Sequence, residues 1–301
     1  MSDLKKIEVA YRPTGSADNF KYITYVTESL NTSNDTKESP NQRQNRQLSN
    51  TRIMSSEVSG SLDIAFAQDE YDSFLESALC STFDVSGNLI IGEEKQSYDI
   101  LKIYTYEDGT QDAVLFEGMH VNTLSLEIPE QDYVTGSIGF VGTHRTFNYD
   151  LTGLTIDPAT KGEEYDASNQ FGSIAINSGS IGVIKNISLS IDNGYQAVTG
   201  IDSQTPFKQK QGDIAVTGSI EVVMSKDAFA LYKTSITNTP ADIQYSLDNG
   251  STSYAMSLPR VNLAGDLPSG NNTDVITMSL DMTGTFDATQ GSVLKISKTT
   301  V

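Results

Sequence analysis

The fold of this 301-residue chain is decided by the stretch Val58-Ser-Gly-Ser-Leu-Asp-Ile-Ala-Phe-Ala-Gln-Asp69, which recurs as Val216-Thr-Gly-Ser-Ile-Glu-Val-Val-Met-Ser-Lys-Asp227. The two stretches align without a gap, and when the alignment continues to Ser77 and Ser235, five of 20 positions are identical. Strand sequences resemble each other by chance, but this match also changes from strand period to helix period at the same point. We therefore interpret it as an internal repeat with an offset of 158 residues.

Apolar and polar residues alternate within the repeat, as they do in a β-strand that has one buried face. The apolar positions of the first copy are Leu62, Ile64 and Phe66. The same alternation runs through residues 276–283 and, with one interruption each, through residues 121–128 and 184–191. Val121 is out of step with the residues that follow it, which predicts a bulge or a strand that begins after it. The chain is therefore predicted to be mainly β.

Each copy of the repeat is followed by a short segment in which apolar residues recur three and four positions apart. That spacing is typical of a helix that buries one face. Asp69 and Asp227 precede the two segments and are expected to serve as N-caps. We predict helices at about 69–80 and about 227–237.

Three turn signals separate the predicted strands, at residues 107–109, 192–194 and 248–250. Each ends in glycine after Asp or Asn, and these residues tolerate the positive φ that a tight turn requires. We expect each of them to close a β-hairpin.

The repeat divides the chain into two β modules, at about 1–160 and 165–301. Each module has enough residues to form a sandwich core and carries one short flanking helix. The stretch 150–168 (DLTGLTIDPATKGEEYDAS) is polar and rich in turn residues, and we interpret it as the join.

Residues 29–51 (SLNTSNDTKESPNQRQNRQLSNT) contain one leucine and no other large apolar residue. Such a segment cannot bury itself, so it is either a surface loop or an arm that becomes ordered against a neighbouring subunit. Its basic residues and the arginine that follows it are unusual in an acidic chain and could contact acidic surface on that neighbour. They are Lys37, Arg43, Arg46 and Arg52.

The composition excludes several classes of function. The net charge of −19 argues against binding to DNA or to anionic membranes by the protein as a whole. A single cysteine excludes an intrachain disulfide and a multi-cysteine metal site. The N-terminal residues lack the apolar region of a secretory signal, and no apolar run is long enough to span a bilayer, so no membrane partner is expected.

No motif points to catalysis, to a metal or to a cofactor. Nucleophilic catalysis needs a Ser or Cys with a positioned base, and the chain has no Gly-x-Ser-x-Gly motif and no phosphate-binding loop. His120 is expected to have a structural or surface role, His144 to lie exposed at a strand end, and Cys80 to be a buried thiol. We predict that the protein is not an enzyme and binds no cofactor.

Several stretches together resemble the major tail tube proteins of long, non-contractile-tailed bacteriophages. The first is Tyr11-Arg-Pro-Thr-Gly15, followed by the polar arm. The others are residues 60–66 with the helix after them, residues 116–128 running into 134–142, and residues 187–191, 216–222 and 275–286. The resemblance covers most of the chain, but it is a pattern of strands and turns and is less specific than a catalytic signature.

The resemblance implies tandem tail-tube-like β-sandwich modules whose inner strands join those of neighbouring copies in a barrel around a lumen. Stacked rings of such barrels would form the tail tube of the virion, assembled in the host cytoplasm, through which genome DNA is ejected. The implied partners are further copies of the chain, a tape-measure protein and other tail proteins. The polar arm would supply the contact between rings.

A negative lumen would keep DNA phosphates from binding to the wall. The strand alternation places Asp63 and Glu127 opposite the core residues, so they are candidates for the lumen or for the outer surface. With two modules in each chain, three copies would complete a pseudo-sixfold ring, whereas one module per chain would need six copies; we favour three.

Other functions remain possible on the sequence alone. The protein could be another part of the virion tail, namely a terminator, a baseplate ring or a decoration protein. A carbohydrate-binding β-sandwich is a weaker alternative because the chain has no tryptophan. A hydrolase would need a polar constellation around His120 or His144.

Overall fold

The computed structural model describes residues 3–40, 50–177, 179, 182–268, 270 and 275–300. It confirms the predicted mainly β fold with two short helices. The strands of the first half are β1 (Leu4–Pro13), β2 (Phe20–Tyr22), β3 (Thr27–Glu28), β4 (Asn31–Glu38), β5 (Thr51–Ala65), β6 (Asn88–Ile90), β7 (Tyr98–Tyr106), β8 (Gln111–Pro129), β9 (Thr135–Gly142) and β10 (His144–Phe147), with helix α1 (Asp72–Ala78) between β5 and β6. The strands that follow are β11 (Ile156–Asp157), β12 (Phe171–Ile176), β13 (Ile184–Asp192), β14 (Gln196–Val198), β15 (Lys208–Lys210), β16 (Ala215–Val223), β17 (Ala241–Asp248), β18 (Thr252–Ala264), β19 (Thr277–Gly284) and β20 (Lys295–Thr300), with helix α2 (Lys226–Ile236) between β16 and β17.

The first half is a sandwich of two antiparallel layers that share the long strand β8. One layer has the order β4–β5–β9–β8, and the other has the order β2–β1–β7–β8–β10. Strand β8 passes from one layer to the other at Gly118, whose φ of 63° favours glycine. Its first part therefore pairs with β7 and β10, and its second part pairs with β9.

The second half repeats this pattern of pairing. Strands β13, β16, β19 and β18 form one layer, in the places that β4, β5, β9 and β8 have in the first half. Strands β12, β17, β18 and β20 form the other layer, in the places of β1, β7, β8 and β10. Six strand pairings of the first half therefore have a counterpart in the second half.

The two halves also agree in register, residue by residue. Leu62 of β5 lies opposite Ile138, and Ile220 of β16, 158 residues later, lies opposite Leu280. The residue two positions after each helix has a left-handed φ, 51° at Cys80 and 50° at Asn238, and these two positions are again 158 residues apart. The alignment read from the sequence thus has a direct structural counterpart.

One strand pairing joins the two inner layers into a single antiparallel sheet of eight strands. Strand β13 pairs with the second part of β8, so that Leu189 lies opposite Leu126 and Ile191 lies opposite Leu124. One cluster of buried apolar side chains continues from Val9 to Ile296 through both halves. Each fully buried Leu, Ile or Phe in such a core contributes about 1.5–3 kcal/mol.

The stretch 150–168 is held firmly although its composition is polar. Tyr165 is fully buried, and its hydroxyl donates to the Thr252 carbonyl oxygen at 2.9 Å. The Tyr165 amide donates to the Phe66 carbonyl oxygen in the first half. The join therefore contributes a core residue that packs against both halves.

Asn193 is a fully buried polar side chain at the junction of the halves. It is 0% exposed, and its Nδ2 donates to the carbonyl oxygens of Ala78 and Val121, each at 3.0 Å. The prediction that residues 192–194 close a hairpin is therefore wrong, because Asn193 is used to fix the second half to α1 and β8. The predicted hairpins at 107–109 and 248–250 are confirmed, since they join β7 to β8 and β17 to β18.

Both predicted helices are present, but the predicted caps are wrong. The N-cap of α1 is Tyr71, and Asp69 instead has φ 59° and forms an ion pair with Lys298. The N-cap of α2 is Ser225, whose hydroxyl accepts a hydrogen bond from the Ala228 amide at 3.1 Å, so Asp227 lies inside the helix. The expected irregularity at Val121 is confirmed as a bulge between Val121 and Thr123.

Replacing Asn193 by Ala is expected to lower the free energy of unfolding by about 2–4 kcal/mol, because two buried carbonyl groups lose their donors. Urea denaturation of the monomer measures this change. The matched control is Asn50→Ala at an exposed position, which is expected to change stability by less than about 0.5 kcal/mol. An equal effect of the two substitutions would contradict the role of Asn193.

Candidate assembly site

The eight-stranded layer, in the order β4–β5–β9–β8–β13–β16–β19–β18, is the main feature of the molecule that points to assembly. Its core face carries residues such as Leu62, Leu126 and Met282, and the outer layers of the two halves cover that face. The opposite face carries short polar side chains. One row across the sheet runs through paired residues Asp63, Ser137, Ser125, Ser190, Thr217, Thr283 and Asn262.

This polar face is acidic. At the positions that point away from the core, no lysine or arginine occurs in β9, β8, β16, β19 or β5 from residue 57 onward. In β13, Lys185 lies at the bulge between Ile184 and Asn186 and forms an ion pair with Glu130. These six strands carry six carboxylates at such positions, namely Glu57, Asp63, Glu127, Asp192, Glu221 and Asp281. Asp63 and Glu127, which the alternation placed opposite the core, are both exposed on this face. Over these six strands the face therefore carries an excess of negative charge.

The hydrogen bonds of Asp63 stabilise its ionised form. Its carboxylate accepts from the Thr27 hydroxyl at 2.5 Å and from the Ser137 hydroxyl at 2.7 Å, and these bonds lower the pKa of Asp63 below its usual value. On the same face, the Glu127 carboxylate accepts from Asn186 Nδ2 at 2.9 Å. Neutral donors hold both carboxylates in place without cancelling their charge.

The layer ends in two edges at which the described residues form no further strand pairing. Strand β4 pairs with β5 on one side only. At the other end, Asn262, Leu263 and Ala264 of β18 pair with β19 on one side only. By register, Leu263 is the counterpart of Val121, and Ala264 is the counterpart of Thr123, the residue at which the pairing of β8 with β13 begins. Unpaired strand edges readily form hydrogen bonds with another chain.

The polar arm predicted as a loop at 29–51 is over its described residues a β-ribbon. Strand β4 pairs with β5 from Asn31 opposite Ser59 to Glu38 opposite Thr51. Backbone hydrogen bonds hold such a ribbon together without apolar side chains, which is why the composition did not reveal it. We name residues 31–38 with 51–58 the hairpin arm.

The hairpin arm has a basic and partly apolar end. Lys37 lies directly opposite Arg52, and neither forms an ion pair with another described residue. Like charges in facing positions destabilise a strand pair unless an anion lies nearby. Ile53 and Met54 are exposed beside them. Arg43 and Arg46, the other two basic residues predicted for the arm, lie outside the described residues.

The segment between β13 and β16 supports the hairpin arm, and sequence patterns did not reveal this contact. The Ser56 amide donates to the Gln204 carbonyl oxygen at 2.6 Å, and Gln204 Nε2 donates to the Ile53 carbonyl oxygen at 3.2 Å. Gln209 Nε2 donates to the Gly142 carbonyl oxygen at the end of β9. The segment occupies the place in the second half that the arm occupies in the first, because it connects the counterparts of β4 and β5.

The structure places the two histidines and the cysteine at three separate positions of the first half. Among the described residues no three His, Cys, Asp or Glu side chains are placed to hold a metal ion. His120 Nδ1 lies 2.8 Å from the Gln96 carbonyl oxygen, and its ring stacks on Tyr195. His144 is exposed in β10, and Cys80 is buried at the end of α1, where burial raises the pKa of its thiol.

Comparison with known families shows the kind of protein to which this chain belongs. A family model described as phage tail tube protein matches residues 5–289. The chain belongs to the phage tail tube protein family. A search of curated proteins found no match.

Membership in the tail tube family makes this chain a structural protein of a bacteriophage tail, and hence of the virion. The family implies self-assembly and contact with other tail proteins. It is a family of structural proteins, which agrees with a chain interpreted as non-enzymatic. No helix in the described part of the chain is long and apolar enough to cross a membrane.

His120 of this tail tube protein gives a test of its structural role through pH. Burial lowers the pKa of His120, so the folded protein takes up a proton less readily than the unfolded chain. The free energy of unfolding is therefore expected to fall as pH drops below about 6.5. His120→Gln should remove this part of the decline between about pH 8 and about pH 5.5 in denaturation experiments. His144→Gln is the control; a pH dependence of His120→Gln identical to that of the wild type would contradict the role.

Proposed function

We propose that three copies of this chain form a ring whose inner wall is one continuous β-barrel, and that stacked rings form the tube of a long, non-contractile phage tail. The observation that carries this proposal is the pair of open edges at opposite ends of one eight-stranded layer. Strand β4 of one copy meets the β18 edge of the next copy at the place that corresponds to the start of the β8–β13 pairing within the chain. Closing the ring in this way pairs both edges of the eight-stranded layer.

The size of the barrel favours three copies over six. Three layers of eight strands, spaced about 4.8 Å apart and tilted by about 40°, close a barrel with a backbone diameter of roughly 48 Å. Six copies would give roughly 96 Å by the same calculation. The smaller barrel fits a passage for one DNA duplex, and it agrees with two tube-like modules per chain at about 1–160 and 165–301.

The polar face of the layer lines the lumen in this ring, because the outer layers cover the other face. Asp63 and Glu127 then belong to a negative wall. Duplex DNA carries one negative charge for about every 1.7 Å of its length, so such a wall repels the phosphates and lets the genome slide. The function is that of a conduit for DNA ejection into the host, without specific DNA binding and without a cofactor.

The hairpin arm provides the contact between rings. The arm extends from one end of the sheet and would contact the opposite end of the next ring. Such a contact joins two different surfaces, so it can repeat from ring to ring and form a filament. Lys37, Arg43, Arg46 and Arg52 pair there with carboxylates of the next ring. Assembly takes place in the host cytoplasm together with a tape-measure protein and other tail proteins.

Purified chain is expected to form hollow filaments when concentrated, with three copies in each ring, as seen by electron microscopy. A chain that stays monomeric at every concentration would refute the proposal. Isolated rings that never stack would instead indicate a terminator or baseplate protein.

Reversing the charge of the hairpin arm with Lys37→Glu and Arg52→Glu together is expected to stop the stacking of rings. The substitutions place two carboxylates where an anionic partner is expected, and they leave the sheet edge intact. Filament length, seen by electron microscopy, measures the stacking of rings. Ring mass, measured by light scattering, shows whether single rings still form. The matched control is Lys5→Glu with Lys161→Glu, two exposed lysines outside the hairpin arm, which gives the same net charge. Filaments of ordinary length from the arm variant would contradict the role of the arm.

Reversing the charge of the lumen with Glu127→Lys and Asp281→Lys is expected to make tubes retain short duplex DNA, because lysines attract phosphates. Co-sedimentation of DNA with tubes at low salt measures retention. Tubes with Glu94→Lys and Glu107→Lys, which lie outside the eight-stranded layer, carry the same added charge and should retain as little DNA as wild-type tubes. Equal retention by both variants would show that the polar face is not the lumen.

A further inference from the structure

The junction between the two halves gives a detailed template for the junction between copies. Within the chain, buried Asn193 follows strand β13 and donates to two carbonyl groups of the first half. One belongs to Ala78, the last residue of α1, and the other to Val121 of β8. Asn193 Oδ1 also lies 3.8 Å from Cys80 Sγ. A single side chain thus connects the helix end and the inner sheet of one half to the other half.

Strand register identifies the counterparts of these three residues. Val58 and Val216 are equivalent positions of the repeat. Thr32 lies opposite Val58 and Ile191 lies opposite Val216, so Thr32 corresponds to Ile191. Two positions further along the chain, Asn34 therefore corresponds to Asn193. Val121 lies opposite Phe140 of β9, and Leu263 lies opposite Met282, the equivalent residue of β19. Leu263 therefore corresponds to Val121.

The helix ends correspond as well. Ala78 and Ile236 are the last residues of α1 and α2, and they lie 158 residues apart. The hydrogen bonds that close the two helices are the same: Cys80 N donates to Ser77 O, and Asn238 N donates to Ser235 O.

The counterpart surface on the second half is uncovered. Ala78 is 0% exposed, whereas Ile236 is 67% exposed. The residue four positions after Ile236 is Pro240, which has no N–H to donate to the Ile236 carbonyl group. Leu263 belongs to the open edge of β18, and Asn34 lies exposed on the hairpin arm with its Oδ1 accepting from the Ser56 hydroxyl at 2.5 Å. The two Nδ2 hydrogens of Asn34 are thus available to a neighbour.

We infer that Asn34 of one copy inserts between α2 and β18 of the next copy and donates to the carbonyl groups of Ile236 and Leu263. The occupant of the exposed end of α2 is thus the hairpin arm of a second copy of this chain. The inference rests on the proposed ring and adds the residue that fixes its register. It gives Asn34 a lateral role within a ring, distinct from the axial role of Lys37 and Arg52.

Cysteine cross-linking tests this contact directly, because the native chain has one cysteine, buried Cys80. Asn34→Cys combined with Ile236→Cys is assembled and then oxidised with copper phenanthroline. The expected products on a denaturing gel without reductant are covalent dimers and trimers. The matched control is Asn31→Cys with Ile236→Cys, because residue 31 lies on the other face of β4; this pair should give no intermolecular cross-link.

Asn34→Ala gives an independent measurement that does not depend on cysteine reactivity. It is expected to raise the critical concentration for assembly at least tenfold and to leave the unfolding midpoint of the monomer unchanged. Asn31→Ala is the matched control, since Asn31 lies on the same strand with its side chain on the other face.

The outcomes separate the inference from the proposed function. Wild-type chain that forms no rings refutes the proposed function, and the inference falls with it. Two outcomes would overturn the inference alone, provided that the wild-type chain forms rings. One is that the cysteine pair at positions 34 and 236 gives no intermolecular cross-link. The other is that Asn34→Ala assembles like Asn31→Ala.

Discussion

An unpaired strand edge is the constraint on which the whole structure depends. Backbone N–H and C=O groups at an edge must find partners in water or in another strand, and proteins usually protect long edges with bulges, charges or a covering segment. Here the eight-stranded layer ends in β4 on one side and in the short β18 edge on the other. The two edges belong to one sheet and have counterparts that are already paired within the chain. In the ring that we propose, these two edges form the contact between neighbouring copies.

Duplication explains why this contact can be described in detail. The pairing of β8 with β13 joins two similar halves through one covalent chain, so this junction forms without any loss of translational freedom. The two halves are nevertheless unequal. The first half has its helix end covered by Asn193, and the second half leaves Ile236 exposed. We based the proposed contact between copies on this difference in burial at equivalent positions and on the groups that form the buried contact within the chain.

The sequence was most informative where local patterns carry the information. Alternation placed Asp63 and Glu127 opposite the core, and both lie on the polar face. The helical spacing located both helices, although Asp69 and Asp227 are not their caps because a local cap depends on where the chain enters the helix. The hairpin arm looked like a loop, since strand pairing between exposed polar residues leaves no hydrophobic pattern. Asn193 looked like a turn residue, since its burial depends on β8 and α1, which lie far away in the sequence.

By itself, the sequence determined the β class, the internal repeat and its offset, the absence of any recognisable catalytic motif and the position of the basic arm. These properties follow from the composition and from the spacing of apolar side chains, which do not depend on where a strand or helix lies in the fold. Only the tertiary structure decided that β8 and β13 join the halves into one layer, that β4 and β18 are its open edges and that Tyr165 and Asn193 are buried. Those facts depend on which strands become neighbours in the sheet. Backbone hydrogen bonds between strands are nearly independent of side-chain identity, so no local sequence pattern indicates which strands will pair.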